Sequence, residues 1–256
     1  MPETQPLLVV HDLQKTFGRK QKQQVLAGVS FSLQRGECAG LVGVSGCGKS
    51  TTARIIAGLE TADSGTITIA GQTYAAQEAG NRARWQQVQV IFQQPEASFD
   101  PRRTLGWSIA EPLRTQGVAR AAREQRVREL LARVELPERI AARYPFEVSG
   151  GQCQRAAIAR ALTTQPQLLI CDEVTSALDV TLQQRIVALI RELCRERQLT
   201  CLFITHDLPL LAQVADRVCV MEQGRIVEQG ATAAVVAHPQ SLAARRLLAV
   251  DFFTMK

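Results

Sequence analysis

The chain has 256 residues, 46% of them hydrophobic and 21% charged, enough for one large domain or two small ones around a real apolar core. Its apolar runs are only a few residues long, which excludes a membrane-spanning helix, and Met1-Pro2-Glu3-Thr4 lacks the charged-then-apolar form of a secretion signal, so a cytoplasmic location is expected. The formal charge of +6 does not form one patch: arginines from Arg114 to Arg143 alternate with Glu124, Glu129, Glu135 and Glu138 as on solvated helix faces, and two Trp and two Tyr offer little surface for stacking bases, so nucleic acid is not expected as a partner.

The first part reads as strands at residues 7–13, 25–33 and 38–42, with a hairpin turn expected at Arg19-Lys20-Gln21-Lys22 and another turn at Gln34-Arg35-Gly36-Glu37. A helix should run over 49–57 and close at Gly58. Strands then follow at 66–70, where Ile67 and Ile69 alternate with threonines, and at 88–92. From Gln93 to about Gln165 the pattern becomes helices broken by Pro95, Pro101, Pro112, Pro137 and Pro145, which marks an inserted helical subdomain over 93–165.

Apolar strand runs return at 168–171 and 201–205, separated by an amphipathic helix over 181–197. Strand, crossover helix and strand imply a parallel sheet. Two strands at 217–221 and 225–228 meet at the Glu222-Gln223-Gly224 turn, and a helical tail follows over 231–256. The chain therefore reads as a single α/β domain over 1–256, with its core in 1–92 and 166–230 and a mainly parallel sheet. Seven cysteines occur without a C-x-x-C pair, and Cys38, Cys171, Cys201 and Cys219 lie in strand runs where Cys behaves as a small hydrophobe, so neither disulfides nor a zinc site is expected.

Gly43-Val44-Ser45-Gly46-Cys47-Gly48-Lys49-Ser50, followed by Thr51, fits the G-x-x-x-x-G-K-[ST] phosphate loop and sits between an expected strand and helix, as that geometry requires. Its glycines let the backbone wrap phosphates, Lys49 can reach the β and γ oxygens, and the Ser50 hydroxyl can bind Mg²⁺. Leu168-Leu169-Ile170-Cys171-Asp172-Glu173 sets two carboxylates at the end of an apolar strand, the edge where open parallel sheets bind ligands. There Asp172 suits the Mg²⁺ water shell, and Glu173 suits orientation and deprotonation of an attacking water.

His206 ends the next strand and can face the same γ-phosphate. His11 and His238 have no such setting. Ser149-Gly150-Gly151-Gln152 stands just ahead of an alanine-rich helix, with Ser149 at the N-cap and a glycine pair exposing backbone N–H groups, a second element built to receive an anion.

This ordered set resembles the ATPase subunit of an ATP-binding-cassette (ABC) transporter over essentially the whole chain, a fold with a RecA-like phosphate-loop core, an N-terminal antiparallel β subdomain and a helical insertion. The resemblance likens residues 43–50 to the Walker A loop and residues 168–172 to the Walker B strand, with Glu173 as catalytic base. It likens Val148-Ser149-Gly150-Gly151-Gln152 to the signature, Gln93 to the Q-loop glutamine that meets Mg²⁺ and water, and Ser176-Ala177-Leu178-Asp179 to the D-loop. His206 corresponds to the switch histidine and Phe17 to the aromatic stacked on adenine. Val148 stands where Leu is common, Val174 where Pro is frequent and Phe17 where Tyr is usual; none removes a group that hydrolysis needs, since stacking uses only the ring face.

The run from Phe92 to Arg102, Glu111-Pro112-Leu113 and Ser176-Ala177-Leu178-Asp179-Val180 are similar to importer ATPases for peptides, nickel and metal chelates. Membership there implies ATP and Mg²⁺ as cofactors and a peripheral place on the cytoplasmic face of the membrane. It also implies a second, different ATPase subunit, two membrane permease subunits and an extracytoplasmic solute-binding protein. His238-Pro239-Gln240-Ser241-Leu242 resembles the start of the C-terminal region of peptide importers, and the sequence then ends at Lys256, which favours the smaller nickel or metallophore type. The alternative is a soluble ABC ATPase of a nucleic-acid, ribosome or multi-enzyme complex; a single cassette without sustained heptads speaks against it.

Overall fold

Two sheets divide the chain, and the periodicity of their strands decides which face each residue occupies. The computed structural model describes residues 5–18, 21–175 and 179–254. One sheet is antiparallel, formed by β1 (Leu8–Phe17), β2 (Gln23–Leu33), β4 (Ser64–Ile69) and β5 (Gln72–Ala75) in the order β2-β1-β4-β5. The other has six strands in the order β10-β9-β3-β8-β7-β6. They are β3 (Cys38–Val42), β6 (Val88–Ile91), β7 (Leu168–Asp172), β8 (Thr200–Thr205), β9 (Arg217–Glu222) and β10 (Arg225–Ala231). All are parallel except β10, which returns antiparallel beside β9.

Because side chains alternate along a strand, the parallel strands feed two separate cores. Leu168, Ile170, Leu202, Ile204, Cys219 and Met221 pack on the side of the antiparallel sheet and α1 (Lys49–Ile56). Leu169, Cys171, Cys201, Phe203, Val218 and Val220 pack on the opposite side, against the helices. All seven cysteines are buried in these cores.

The helices follow local signals. α2 (Arg82–Gln87) is capped by the Asn81 side chain, and α3 (Leu105–Thr115) by Thr104. Next come α4 (Arg120–Arg133) and α5 (Gly150–Ala161), so 93–165 is a helical insert between β6 and β7. α6 (Val180–Arg197) and α7 (Leu208–Val214) are capped by Asp179 and Asp207, and α8 (Thr232–Ala237) and α9 (Leu242–Thr254) end the described chain.

Differences from the sequence expectation have physical causes. β1 runs on to Phe17 because Asp12, at φ 48, and a register shift between Val10 and Leu13 interrupt the alternation without ending the strand. Pro112 lies inside α3 instead of breaking it: its fixed φ is compatible with a helix, and the loss falls on one amide bond to the turn before it. β5, α2 and α7 are four, six and seven residues long, too short to display a period. The Arg114 guanidinium covers the Trp107 ring at 5.0 Å, so it is not simply solvated. Of the Arg19–Lys20 turn, Arg19 and Lys20 lie outside the described residues, while the strands it joins pair through Phe17 and Gln23.

Arg84 is 1% exposed, and its guanidinium donates to the carbonyls of Ile55 and Ile56 at the C-terminus of α1 while lying over the Tyr74 ring at 5.1 Å. A cation at that helix end answers both its terminal carbonyls and the macrodipole. Arg84→Ala is expected to cost about 3 kcal/mol, since buried carbonyls lose charge-assisted partners. A urea unfolding series should show the lower midpoint with an unchanged slope.

Candidate functional site

Adjacent strands β3, β8, β7 and β6 all end on one edge of the parallel sheet, and each is followed there by one of the chemically distinctive residues. β3 runs into the loop 43–48 and α1. Gly48, at φ 112, precedes α1 and packs on β2 and Met221, where a side chain would meet Leu26 at 2.7 Å. At Gly43 a Cβ would stand 2.2 Å from the Met221 carbonyl oxygen, so only glycine lets the loop leave the sheet there.

Lys49 is buried, its ammonium donating to the carbonyls of Gly43 at 2.7 Å and Val44 at 3.1 Å. Ser45 and Gly46 are exposed, Thr51 is half-buried and the Cys47 thiol is buried, which raises its pKa.

Ser50 Oγ donates to Asp172 Oδ1 at 3.0 Å, joining the first turn of α1 to the end of β7. Burial raises the Asp172 pKa against the lowering effect of that hydrogen bond. A desolvated carboxylate beside a hydroxyl is a hard oxygen donor set, and it fits a small divalent cation such as Mg²⁺. Glu173 follows in the left-handed region at φ 50, its amide still bonded to the Ile204 carbonyl at 2.9 Å. Such backbone is uncommon for Glu and concentrates at functional sites. The Glu173 carboxylate reaches to 3.7 Å from Nδ1 of His206 at the end of β8.

Gln93 is exposed just beyond β6 and shares a recess of about 90 Å³ with Glu96, Gly150, Gln154 and Val174. Glu173's neighbour, the signature-like segment and Gln93 thus meet around one opening. Ser149 caps α5 through a reciprocal pair: its Oγ accepts from the Gln152 amide at 3.3 Å and the Gln152 side chain accepts from the Ser149 amide at 3.1 Å. The first-turn amides of Gly150 and Gly151 point out of the helix end, as helix geometry requires.

Gly151 is buried against Leu182 of α6. α5 packs on α3, α4 and β6, a different setting from the phosphate loop on β2 and β9. Asp179 caps α6 by accepting from Leu182 N at 2.9 Å, and Ser176, Ala177 and Leu178 lie outside the described residues.

Phe17 stands at the end of β1, 40% exposed. Lys15, which the sequence analysis did not single out, lies 4.8 Å from the centre of that ring. Its signal was the i, i+2 spacing that puts two strand residues on one face.

Residues 26–176 match the ABC transporter family. The chain is 43% identical over 240 residues to the oligopeptide transport ATP-binding protein OppF of Salmonella typhimurium, covering 88% of this chain and 71% of that one. It is 46% identical over 222 residues to the glutathione import ATP-binding protein GsiA of Pectobacterium atrosepticum, covering 86% of this chain and 36% of GsiA. Among solved structures it resembles the ATP-binding cassette MJ0796 in a dimeric post-hydrolysis state bound to ADP and Pi, with a TM-score of 0.78, 27% identity, and coverage of 88% of this chain and 98% of that one.

Proposed function

This chain belongs to the ABC transporter family and hydrolyses ATP to drive solute import, and we propose that the imported solute is a peptide. The observation that carries the choice of solute is the likeness to oligopeptide and glutathione ATPases, since glutathione and oligopeptides share backbone amides and charged termini. The nickel or metallophore type draws no support from the relatives named above. Nor does a soluble, non-transport role, because those relatives carry transport and import names.

In this reading the loop 43–48 wraps the phosphates of ATP, Lys49 turns its ammonium from the loop carbonyls to the β and γ oxygens, and the Phe17 ring stacks on adenine. Ser50 and Asp172, with Gln93, would hold Mg²⁺, which neutralises charge on the phosphate oxygens when bound. Glu173 takes a proton from the attacking water and His206 senses the γ-phosphate. Ser149, Gly150, Gly151 and Gln152 serve the ATP of a second cassette subunit, beside which Asp179 stands.

No helix among the described residues is long and apolar enough to cross a membrane, so the proposed place is peripheral, on the cytoplasmic face beneath two permease subunits fed by an extracytoplasmic binding protein. Gln93, exposed beyond β6 at the recess it shares with Glu96, Gly150, Gln154 and Val174, is the proposed point of coupling to the permease subunits. Deleting the gene is expected to abolish uptake of a labelled oligopeptide and to spare uptake of labelled Ni²⁺. The opposite pattern would overturn the proposed solute.

A further inference from the structure

Lys15 is 8% exposed, and its ammonium is held from below by two oxygens that follow α1: Glu60 Oε1 at 2.8 Å and the Thr61 carbonyl at 2.5 Å. The same short segment grips β1 twice more, because Asp63 Oδ2 accepts from the Thr16 amide at 2.7 Å and the Asp63 amide donates to the Gln14 carbonyl at 2.8 Å. Above the ammonium lies the Phe17 ring, 4.8 Å away at its centre. The buried cation therefore lies against one side of a ring that remains 40% exposed. The chain from Lys49 to Asp63 links the phosphate loop to the platform that carries Phe17.

We propose that Lys15 is a positioning residue for the adenine base: clamped by Glu60 and Thr61, it fixes the Phe17 ring from its buried side and leaves one oriented face for stacking. This rests on the reading of Phe17 as the base-stacking aromatic. The cation attracts the ring quadrupole and restricts the ring to one orientation before nucleotide arrives, so less freedom is lost when a base stacks on it. It also draws π density from the ring, which favours contact with an electron-rich purine face. Glu60 keeps the ammonium in place, and the hydrogen bond from Lys15 holds the Glu60 carboxyl below its ordinary pKa.

The test compares ATP with inorganic tripolyphosphate, which uses the same loop but has no base, binding each by calorimetry to the full chain with Mg²⁺. Lys15→Met keeps the apolar stem and removes the charge; it should weaken ATP by about two- to twelve-fold, the cost of ordering one side chain that the cation no longer holds, and leave tripolyphosphate unchanged. Lys15→Arg keeps a cation over the ring and should stay within about two-fold of the parent for both ligands. In a Phe17→Ala background, adding Lys15→Met should change ATP affinity by less than about two-fold, because the residue acts through the ring.

The proposal falls if Lys15→Met binds ATP as the parent does, if it weakens both ligands alike, if Lys15→Arg loses as much as Lys15→Met, or if the two losses add fully in the double variant. Should Phe17→Ala alone bind ATP normally, the stacking reading falls and takes the proposal with it. A weakened Phe17→Ala beside an unaffected Lys15→Met refutes the role of Lys15 alone.

Discussion

Replacing Glu173 with Gln will slow ATP turnover by at least about 100-fold while ATP binding stays within a few-fold of the parent, because a positioned general base contributes about 10²- to 10⁴-fold. The substitution changes one carboxylate oxygen to an amide nitrogen and leaves the backbone at φ 50 and its 2.9 Å bond to Ile204 undisturbed. Lys49 and Ser50, the proposed ligands of the phosphates and of Mg²⁺, are on α1 and do not depend on it. The measurement is single-turnover hydrolysis together with nucleotide binding in the assembled complex. Turnover equal to the parent's would remove Glu173 from the proposed role, and the 3.7 Å approach of His206 would then be an ordinary surface contact.

Lys49→Ala will reduce ATP affinity of the isolated chain by about 100-fold or more, the loss of a charge-assisted contact worth about 3 kcal/mol. Lys49 is buried and holds the loop together through the Gly43 and Val44 carbonyls, so the variant also lacks the group that shapes the loop. Ser149→Ala supplies the contrast. Its hydroxyl oxygen accepts in the α5 cap, worth about 1 kcal/mol of local stability, while its proton can still be donated to a phosphate, and α5 packs on α3, α4 and β6 instead of on the phosphate loop.

ATP binding to the isolated Ser149→Ala chain should therefore match the parent's, while nucleotide-driven association with a second cassette subunit weakens. Calorimetry on the isolated chain and light scattering on the pair separate the two effects. Equal loss of isolated-chain binding in both variants would show that Ser149 serves this chain's own site.

Chemistry that is local along the chain is legible in the order of residues alone. The loop 43–50 is recognisable because glycine spacing and a lysine are contiguous, and the Ser149 cap because its partner Gln152 is three residues away. The strands of the parallel sheet were legible because both faces are buried, which makes each a short apolar run. Elements without that signal were not: α2 has no apolar stripe, and the Asp12 irregularity hid the last four residues of β1, including Lys15 and Phe17.

Which of these residues meet is set by the fold. Ser50 and Asp172 are 122 positions apart, and they touch because the strand order β3-β8-β7 brings the ends of β3 and β7 to one edge with β8 between them. Glu173 and His206 approach for the same reason, and Lys15 finds Glu60 across 45 positions because the segment after α1 folds back onto β1. Such pairings depend on chain crossings and packing over long separations, which leave no periodic mark on the residues that take part.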